Sequence, residues 1–261
     1  MGHAVPILLY HRIDRSSLST ATPPTVFRRH LHWLSERGWR TLSTEEFSFY
    51  MRAGKVFPSR SFVITFDDGY ESVSSVALGI LKEYGYRAIA FISTGLLQHD
   101  EDAVEASSGR EPSCFMSWSQ ARELQSSGVI DLQSHTHSHQ RFSGWSLPEI
   151  SADLTTATDI LSQELKLPKS HFAHLAWPWG KSTPEWRTAA SRAGYRYQYT
   201  VARMSFEENM PRDEIPRTCF DAAAFTQFQR QFWLQAGQFS PLWQAAYPFG
   251  RRLRHFASLR S

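Results

Sequence analysis

The sequence predicts an α/β protein organised around a parallel sheet. Three observations carry that expectation: seven short apolar runs of strand length, amphipathic stretches between them, and start and stop signals that punctuate those stretches. Parallel neighbours need a crossover, and an intervening helix supplies it. A doubly wound sheet and a barrel both satisfy the pattern, and 261 residues suit a single barrel domain.

In chain order the expected strands are Pro6 to Tyr10, Ser61 to Phe66, Arg87 to Ser93, Val129 to Gln133, Ala173 to Trp177, Arg196 to Val201 and Ile215 to Phe220. Between the first two, Phe27, Leu31 and Leu34 share a helical face ahead of Gly38; further on, Ile150, Leu154, Leu161 and Leu165 repeat at helical spacing. Ser43 with Glu46, Ser117 with Gln120 and Ser146 with Glu149 fit the capping box, in which each side chain satisfies the other residue's backbone donor.

Composition excludes several classes. Aromatic residues make up 14%, with 9 Trp, so the chain can bury enough surface to offset its ordering entropy and is not disordered. A net charge of +3, from 28 basic and 25 acidic residues, is too weak to indicate a nucleic-acid partner. No run approaches the ~18 apolar residues of a spanning helix. The first thirty residues have no secretory pattern, so the expected location is cytoplasmic. Cys114 and Cys219 form no disulfide framework and read as packing residues.

In either parallel architecture, chemistry sits beyond the carboxyl ends of the strands. Two groups there stand out. Thr65-Phe66-Asp67-Asp68-Gly69-Tyr70 ends an apolar strand with adjacent carboxylates, which repel unless a cation or proton joins them. His135-Thr136-His137-Ser138-His139 follows another strand, and its first and last imidazoles, four apart, reach one side if the chain turns helically, with His137 pointing elsewhere. Two histidines and one carboxylate make a three-ligand site with open positions, the mark of a catalytic metal.

These segments, with Trp177-Pro178-Trp179-Gly180, resemble the first three motifs of the polysaccharide deacetylases, carbohydrate esterase family 4. Val5-Pro6-Ile7-Leu8-Leu9-Tyr10-His11 and the Gly-Trp-Arg-Thr-Leu-Ser stretch from Gly38 resemble the branch of the poly-N-acetylglucosamine deacetylases. The resemblance covers about residues 5 to 220 and implies a distorted (β/α)7 barrel in a single domain over residues 1–221. Residues 222–261 then form an aromatic, basic end that is not an independent domain. It also implies that Asp68, His135 and His139 hold a divalent metal, that Asp67 is the catalytic base, and that the Tyr70 backbone N–H donates to the oxyanion. Zinc is the first choice of metal, while cobalt, nickel or iron also suit the donor set.

The sequence departs from the family in two places. The third-motif arginine is replaced by Ala176, and Arg217 is the candidate to orient Asp67 in its stead. The fifth-motif histidine, the general acid, has no match downstream, so His11 at the end of the first strand is the substitute, either as acid or as a supporting residue. Trp177, Pro178 and Trp179 are expected to wall the sugar pocket, and the polar segment His99 to Glu111 to form a lid. Gly180-Lys181-Ser182 imitates a phosphate loop but fails on spacing, because Leu175 stands where its first glycine belongs. Residues 222–261 carry no acidic residue but five arginines and nine aromatics, a pattern suited to peripheral contact with an anionic membrane.

The resulting expectation is a metal-dependent hydrolase that removes N-acetyl, in preference to O-acetyl, groups from an amino sugar or glycan intermediate. Two alternatives stay open: hydrolysis of a non-sugar or cyclic amide at the same site, and a non-catalytic carbohydrate-binding protein on the same barrel.

Overall fold

A computed structural model describes residues 4–100, 114–236, 242–243 and 246–247. The strands are β1 (Ile7–Tyr10), β2 (Arg40–Thr41), β3 (Ser61–Asp68), β4 (Ala88–Ile92), β5 (Ile130–Ser134), β6 (His174–Ala176), β7 (Tyr197–Tyr199) and β8 (Thr218–Cys219). The helices are α1 (Pro24–Ser35), α2 (Thr44–Ala53), α3 (Leu78–Tyr84), α4 (Trp118–Ser126), α5 (Leu147–Leu165), α6 (Pro184–Arg192) and α7 (Phe225–Ala236), and a π-helical turn, Val73–Ala77, leads into α3.

The strands pair in parallel in the order β7-β6-β5-β4-β3-β1-β8, with β2 added to β3 beside this path. A looser seam joins the two edges: Tyr199 bridges Ile215, and Ala202 N–H donates to the Arg217 carbonyl at 2.8 Å. The sheet thereby curls into the distorted barrel that the motifs implied.

All seven expected strands form. β3 runs two residues further than its apolar pattern, because Asp67 and Asp68 still pair with Phe91 and Ile92 of β4. β8 is shorter, since Pro216 has no N–H to give to a ladder. β2 was missed because two residues display no period. All three capping boxes are present, at the starts of α2, α4 and α5.

Alternation along the strands sorts the core into layers. Ile7, Val63, Ile89, Phe91, Tyr197 and Tyr199 fill the barrel interior. Leu8, Tyr10, Phe62, Ile64, Phe66, Ala90 and Ile92 face the helices instead. Each valine, leucine, isoleucine or phenylalanine among them, removed fully from water, contributes about 1.5–3 kcal/mol. From α7, Phe228 and Phe232 join this outer layer against Trp33, while Trp233 on the same helix is exposed. Among the described residues, no helix is long and apolar enough to cross a membrane.

Two core histidines are held neutral. His174 lies between the Ser48 and Tyr199 hydroxyls, each at 2.8 Å, and His30 stacks on Phe228 at 4.0 Å with its Nδ1 3.0 Å from the Tyr10 hydroxyl. Burial, helped by nearby Arg29, pushes the His30 imidazole down to about 3. Unfolded, the same ring takes a proton near 6.5. Its stabilising contribution is therefore complete above pH 6.5 and is lost as pH falls from there toward 3. Denaturant unfolding at pH 7 and pH 5 should show that His30→Phe loses about 2 kcal/mol less than the wild type over this interval. Parallel losses would mean that His30 is not held neutral.

Candidate active site

Val63, Thr65 and Asp67 share the inward face of β3, which brings one carboxylate into the barrel. Asp68 would face outward, but it adopts the left-handed conformation with φ 76°, and Gly69 continues the turn with φ 97°. Residues with a side chain rarely adopt that φ, so this corner favours glycine. The broken alternation lets both aspartates serve one space.

The histidine segment enters from the end of β5. His135 N–H donates to the Ile92 carbonyl at 2.9 Å, and Asp153 of α5 accepts the N–H groups of His137 at 2.9 Å and Ser138 at 3.0 Å. Thr136 (φ 72°) and His139 (φ 52°) are also left-handed, which folds the segment back on itself. His137 turns away to Thr94, with Nδ1 2.8 Å from its hydroxyl. His135 Nδ1 donates to the Ala176 carbonyl at 2.7 Å, which leaves the Nε2 lone pair of the neutral ring facing the site.

Asp68 Oδ1 lies 3.3 Å from His135 Nε2 and 3.1 Å from His139 Nε2. The three side chains present ligand atoms all within 4.8 Å of one another. Asp68 Oδ1 is buried and has no hydrogen-bond donor. Three lone pairs converging on one another, one of them on an orphaned buried oxygen, fit a divalent cation held by two imidazoles and a carboxylate. Burial opposes the Asp68 charge; hydrogen bonds and positive charge from the facing imidazoles when they carry a second proton, with the charge of His11, pull the carboxyl well below its ordinary range, and a cation among the three lone pairs would do the same for neutral rings.

Asp67 sits beside this group, with Oδ2 3.8 Å from His135 Nε2. Its carboxylate receives a two-pronged hydrogen bond from Arg217, Nη1 to Oδ1 at 2.6 Å and Nη2 to Oδ2 at 2.7 Å. Arg217 is 0% exposed, also donates to Thr65 Oγ1 at 3.2 Å, and has its guanidinium carbon 5.2 Å from the Phe91 ring centre. Burial alone would raise the Asp67 carboxyl; the guanidinium reverses this and holds it below the ordinary value.

His11 is fixed by a residue that the sequence reading missed. Asp221 accepts His11 N–H at 3.0 Å through Oδ1 and His11 Nδ1 at 2.5 Å through Oδ2. Burial would lower this imidazole, but Asp221 outweighs it and pushes the group up to about 11. Its charge in turn helps to keep Asp67 and Asp68 ionised. Asp221 directly follows the expected strand Ile215 to Phe220, so the strand-end rule that singled out the other residues could have found it.

The aromatic wall needs correction. Trp177 is 0% exposed: its ring packs with Phe142 and Trp186, and its indole N–H donates to Gln198 Oε1 at 3.1 Å. It is core, and Pro178 is buried as well. Trp179, left-handed at φ 55° and 45% exposed, stands at the mouth with its ring centre 4.8 Å from that of His139. Gly180 permits this corner, since a Cβ there would meet Val201 N at 2.3 Å. A cleft of about 120 Å³ lined by Arg141, Phe142, Trp179 and Lys181 lies alongside. The two cysteines are exposed and not packing residues, because each lies just outside the core layers. Tyr70, at the same mouth, stacks on Phe115 at 4.9 Å. Most of the expected lid, residues 101–111, lies outside the described residues.

A profile described as polysaccharide deacetylase matches residues 54–198. The Bacillus subtilis protein YxkH is 26% identical over 197 residues, which are 76% of this chain and 64% of that protein. A poly-β-1,6-N-acetyl-D-glucosamine N-deacetylase of Staphylococcus aureus is 26% identical over 208 residues, covering 76% of this chain and 67% of the relative. The chain thus spans 64–67% of the length of these relatives. Among solved structures, IcaB from Ammonifex degensii aligns with a TM-score of 0.73 at 24% identity, over 90% of this chain and 98% of that one. The deacetylase PplD of Streptococcus pyogenes, solved with acetate, aligns with a TM-score of 0.71 at 21% identity, over 84% and 93%.

The buried Arg217–Asp67 pair makes a stability prediction independent of any activity. Arg217→Met strands a carboxylate in the barrel and should cost about 3–5 kcal/mol in denaturant unfolding, whereas Arg217→Met with Asp67→Leu should recover most of that loss. A double variant no more stable than the single one would show that the pair is not what the interior depends on.

Proposed function

The chain belongs to the polysaccharide deacetylase family, and from that premise we propose that it is a metal-dependent hydrolase removing N-acetyl groups from a glucosamine-containing glycan. The observation that carries this reading is the convergence of Asp68 Oδ1 with the Nε2 atoms of His135 and His139 beside an aspartate held ionised by Arg217. The named Staphylococcus aureus relative supports an N-acetylglucosamine polymer as the substrate class.

A divalent cation held by Asp68, His135 and His139, zinc being the first choice for an N,N,O donor set, would polarise the acetamide carbonyl and make water a better nucleophile at neutral pH. The chain's own residues do the rest. Asp67, ionised and aimed by Arg217, accepts the proton of the attacking water. The Tyr70 backbone N–H donates to the oxyanion of the tetrahedral intermediate. His11 carries its proton on the ring while Asp221 holds Nδ1, so Nε2 is free to protonate the departing amine. The exposed face of Trp179 stacks against the pyranose ring and fixes its approach. An ionised base beside a site for a cation has no use in a protein that only binds sugar, which favours the enzyme over the binding module.

Acetate release from N-acetylglucosamine oligomers, with O-acetylated sugars and cyclic imides alongside, tests the proposal. Release should stop on chelation, return with zinc or cobalt, and fall about 100- to 10,000-fold in Asp67→Asn with metal content unchanged. Undiminished release from metal-free protein would contradict it.

The acid has its own test. With its imidazole pushed up to about 11 by Asp221, His11 should impose no alkaline loss of kcat near neutrality. Asp221→Asn removes the partner that raises it, and the alkaline limb of the kcat profile should move down toward 6.5. An unmoved limb would remove His11 from the proton transfer.

A further inference from the structure

Among the described residues a second set of metal-binding donors stands apart from the first, and it contains the exposed thiol that the mechanism leaves unused. β1 and β8 are parallel neighbours with Leu9 opposite Cys219, and Phe220 N–H donates to the Leu9 carbonyl at 2.9 Å. Two residues beyond that pair, the same register sets His11 beside Asp221. Cys219 and Asp221, two apart, lie on one side of their strand end. Cys219 Sγ is 3.2 Å from Asp221 Oδ2, His11 Nδ1 is 2.5 Å from the same oxygen, and the three side chains offer ligand atoms within 4.8 Å of one another. Asp221 is already anchored, because its other oxygen takes the His11 backbone N–H at 3.0 Å.

We propose that His11, Cys219 and Asp221 form a second, inhibitory site for a soft divalent cation of the zinc type. Thiolate, imidazole and carboxylate together select zinc, cobalt or cadmium over magnesium or calcium, which take oxygen ligands. The site is built before the ion arrives: the histidine and the aspartate hold each other, and the cysteine is open to solvent for the ion to enter. Only the protons that now link the three groups have to leave. The cation takes the place of the proton on His11 Nδ1 and of the thiol proton of Cys219, while Asp221 enters already ionised, so binding releases two protons and the complex is neutral.

The inhibition rests on the reading of His11 as the acid; the binding does not. With a cation on Nδ1 in place of the proton shared with Asp221, the ring is a neutral ligand that could give up its Nε2 proton only by becoming an imidazolate, so it no longer serves as the acid for the departing amine. The same metal that the Asp68 site needs at low concentration would then stop turnover at higher concentration.

The experiment is a cobalt(II) titration of the full chain, wild type and Cys219→Ser, read by absorption and followed by acetate release against free zinc. Cys219 lies beside both His11 and Asp221, and serine keeps a hydroxyl in its place, so the turnover of each protein without added zinc is its own reference. The wild type should take up about two equivalents, the later one with the intense near-ultraviolet band of thiolate-to-cobalt charge transfer, and Cys219→Ser should take up about one without that band. Excess zinc should inhibit the wild type, and its inhibition constant should rise more than about 10-fold in Cys219→Ser, the scale on which even an outer partner of a ligand costs affinity. Absence of the thiolate band, or equal zinc inhibition of the two proteins, overturns the proposal. A thiolate band in a protein that releases no acetate would uphold the binding site and contradict the deacetylase reading, so the two claims fail separately.

Discussion

A guanidinium and a carboxylate paired inside the barrel organise this molecule. Arg217 approaches from the seam that closes the sheet, and Asp67 comes from β3 on the far side of β1. Neither charge is tolerable there alone, and each fixes the other with two hydrogen bonds. Hydrophobic residues of like volume would serve stability as well or better, so the pair is best explained by what it prepares: an aspartate that stays ionised although it is buried. Barrel closure and the state of the proposed base thus depend on one contact. Asp67 takes its guanidinium from position 217, and Ala176 has no charged side chain to offer it. Position 176 carries no arginine, and its backbone carbonyl instead fixes the ring of His135.

Strain is concentrated where these groups meet. Asp68, Thr136, His139 and Trp179 all have positive φ, although none is glycine. Such conformations cost of order 1–3 kcal/mol each and persist only where the surroundings over-determine them. The surroundings here are specific: the Asp153 carboxylate grips the histidine segment, and Val201 leaves no room for a side chain at Gly180. The helical shell, by contrast, is locally relaxed, with capping boxes at three helix starts. A scaffold whose local preferences agree with its fold can carry a strained rim.

What could be read from the sequence divides along the same line. Strands, caps and the pair of motifs bearing Asp67, Asp68, His135 and His139 are encoded by neighbours in the chain, and the structure brings those four side chains together. The partner of Asp67 lies 150 residues away, and Arg217 was a candidate for it because the third motif carries Ala176 in place of an arginine. Asp221 was missed because its meaning depends on register with His11, 210 residues earlier. Trp177 and Trp179 have the same residue type and parity, and the sequence offers no way to tell them apart. The left-handed turn at Trp179 sends one to the mouth, while Gln198 on the neighbouring strand keeps the other in the core. Cys219 has the parity of inward-facing Arg217, but it closes a strand only two residues long and is exposed at that strand's end.

The central claim is that three lone-pair donors converge on one cation next to an aspartate held by arginine. Anomalous scattering at the zinc edge, from crystals of the protein grown with one equivalent of zinc, tests it most directly. The account predicts a peak at about 2.0–2.2 Å from an oxygen of Asp68 and from Nε2 of His135 and His139, with Asp67 still paired to Arg217 and outside bonding distance of the metal. No peak among those three side chains, or a metal that draws Asp67 away from Arg217 into its own shell, would contradict it.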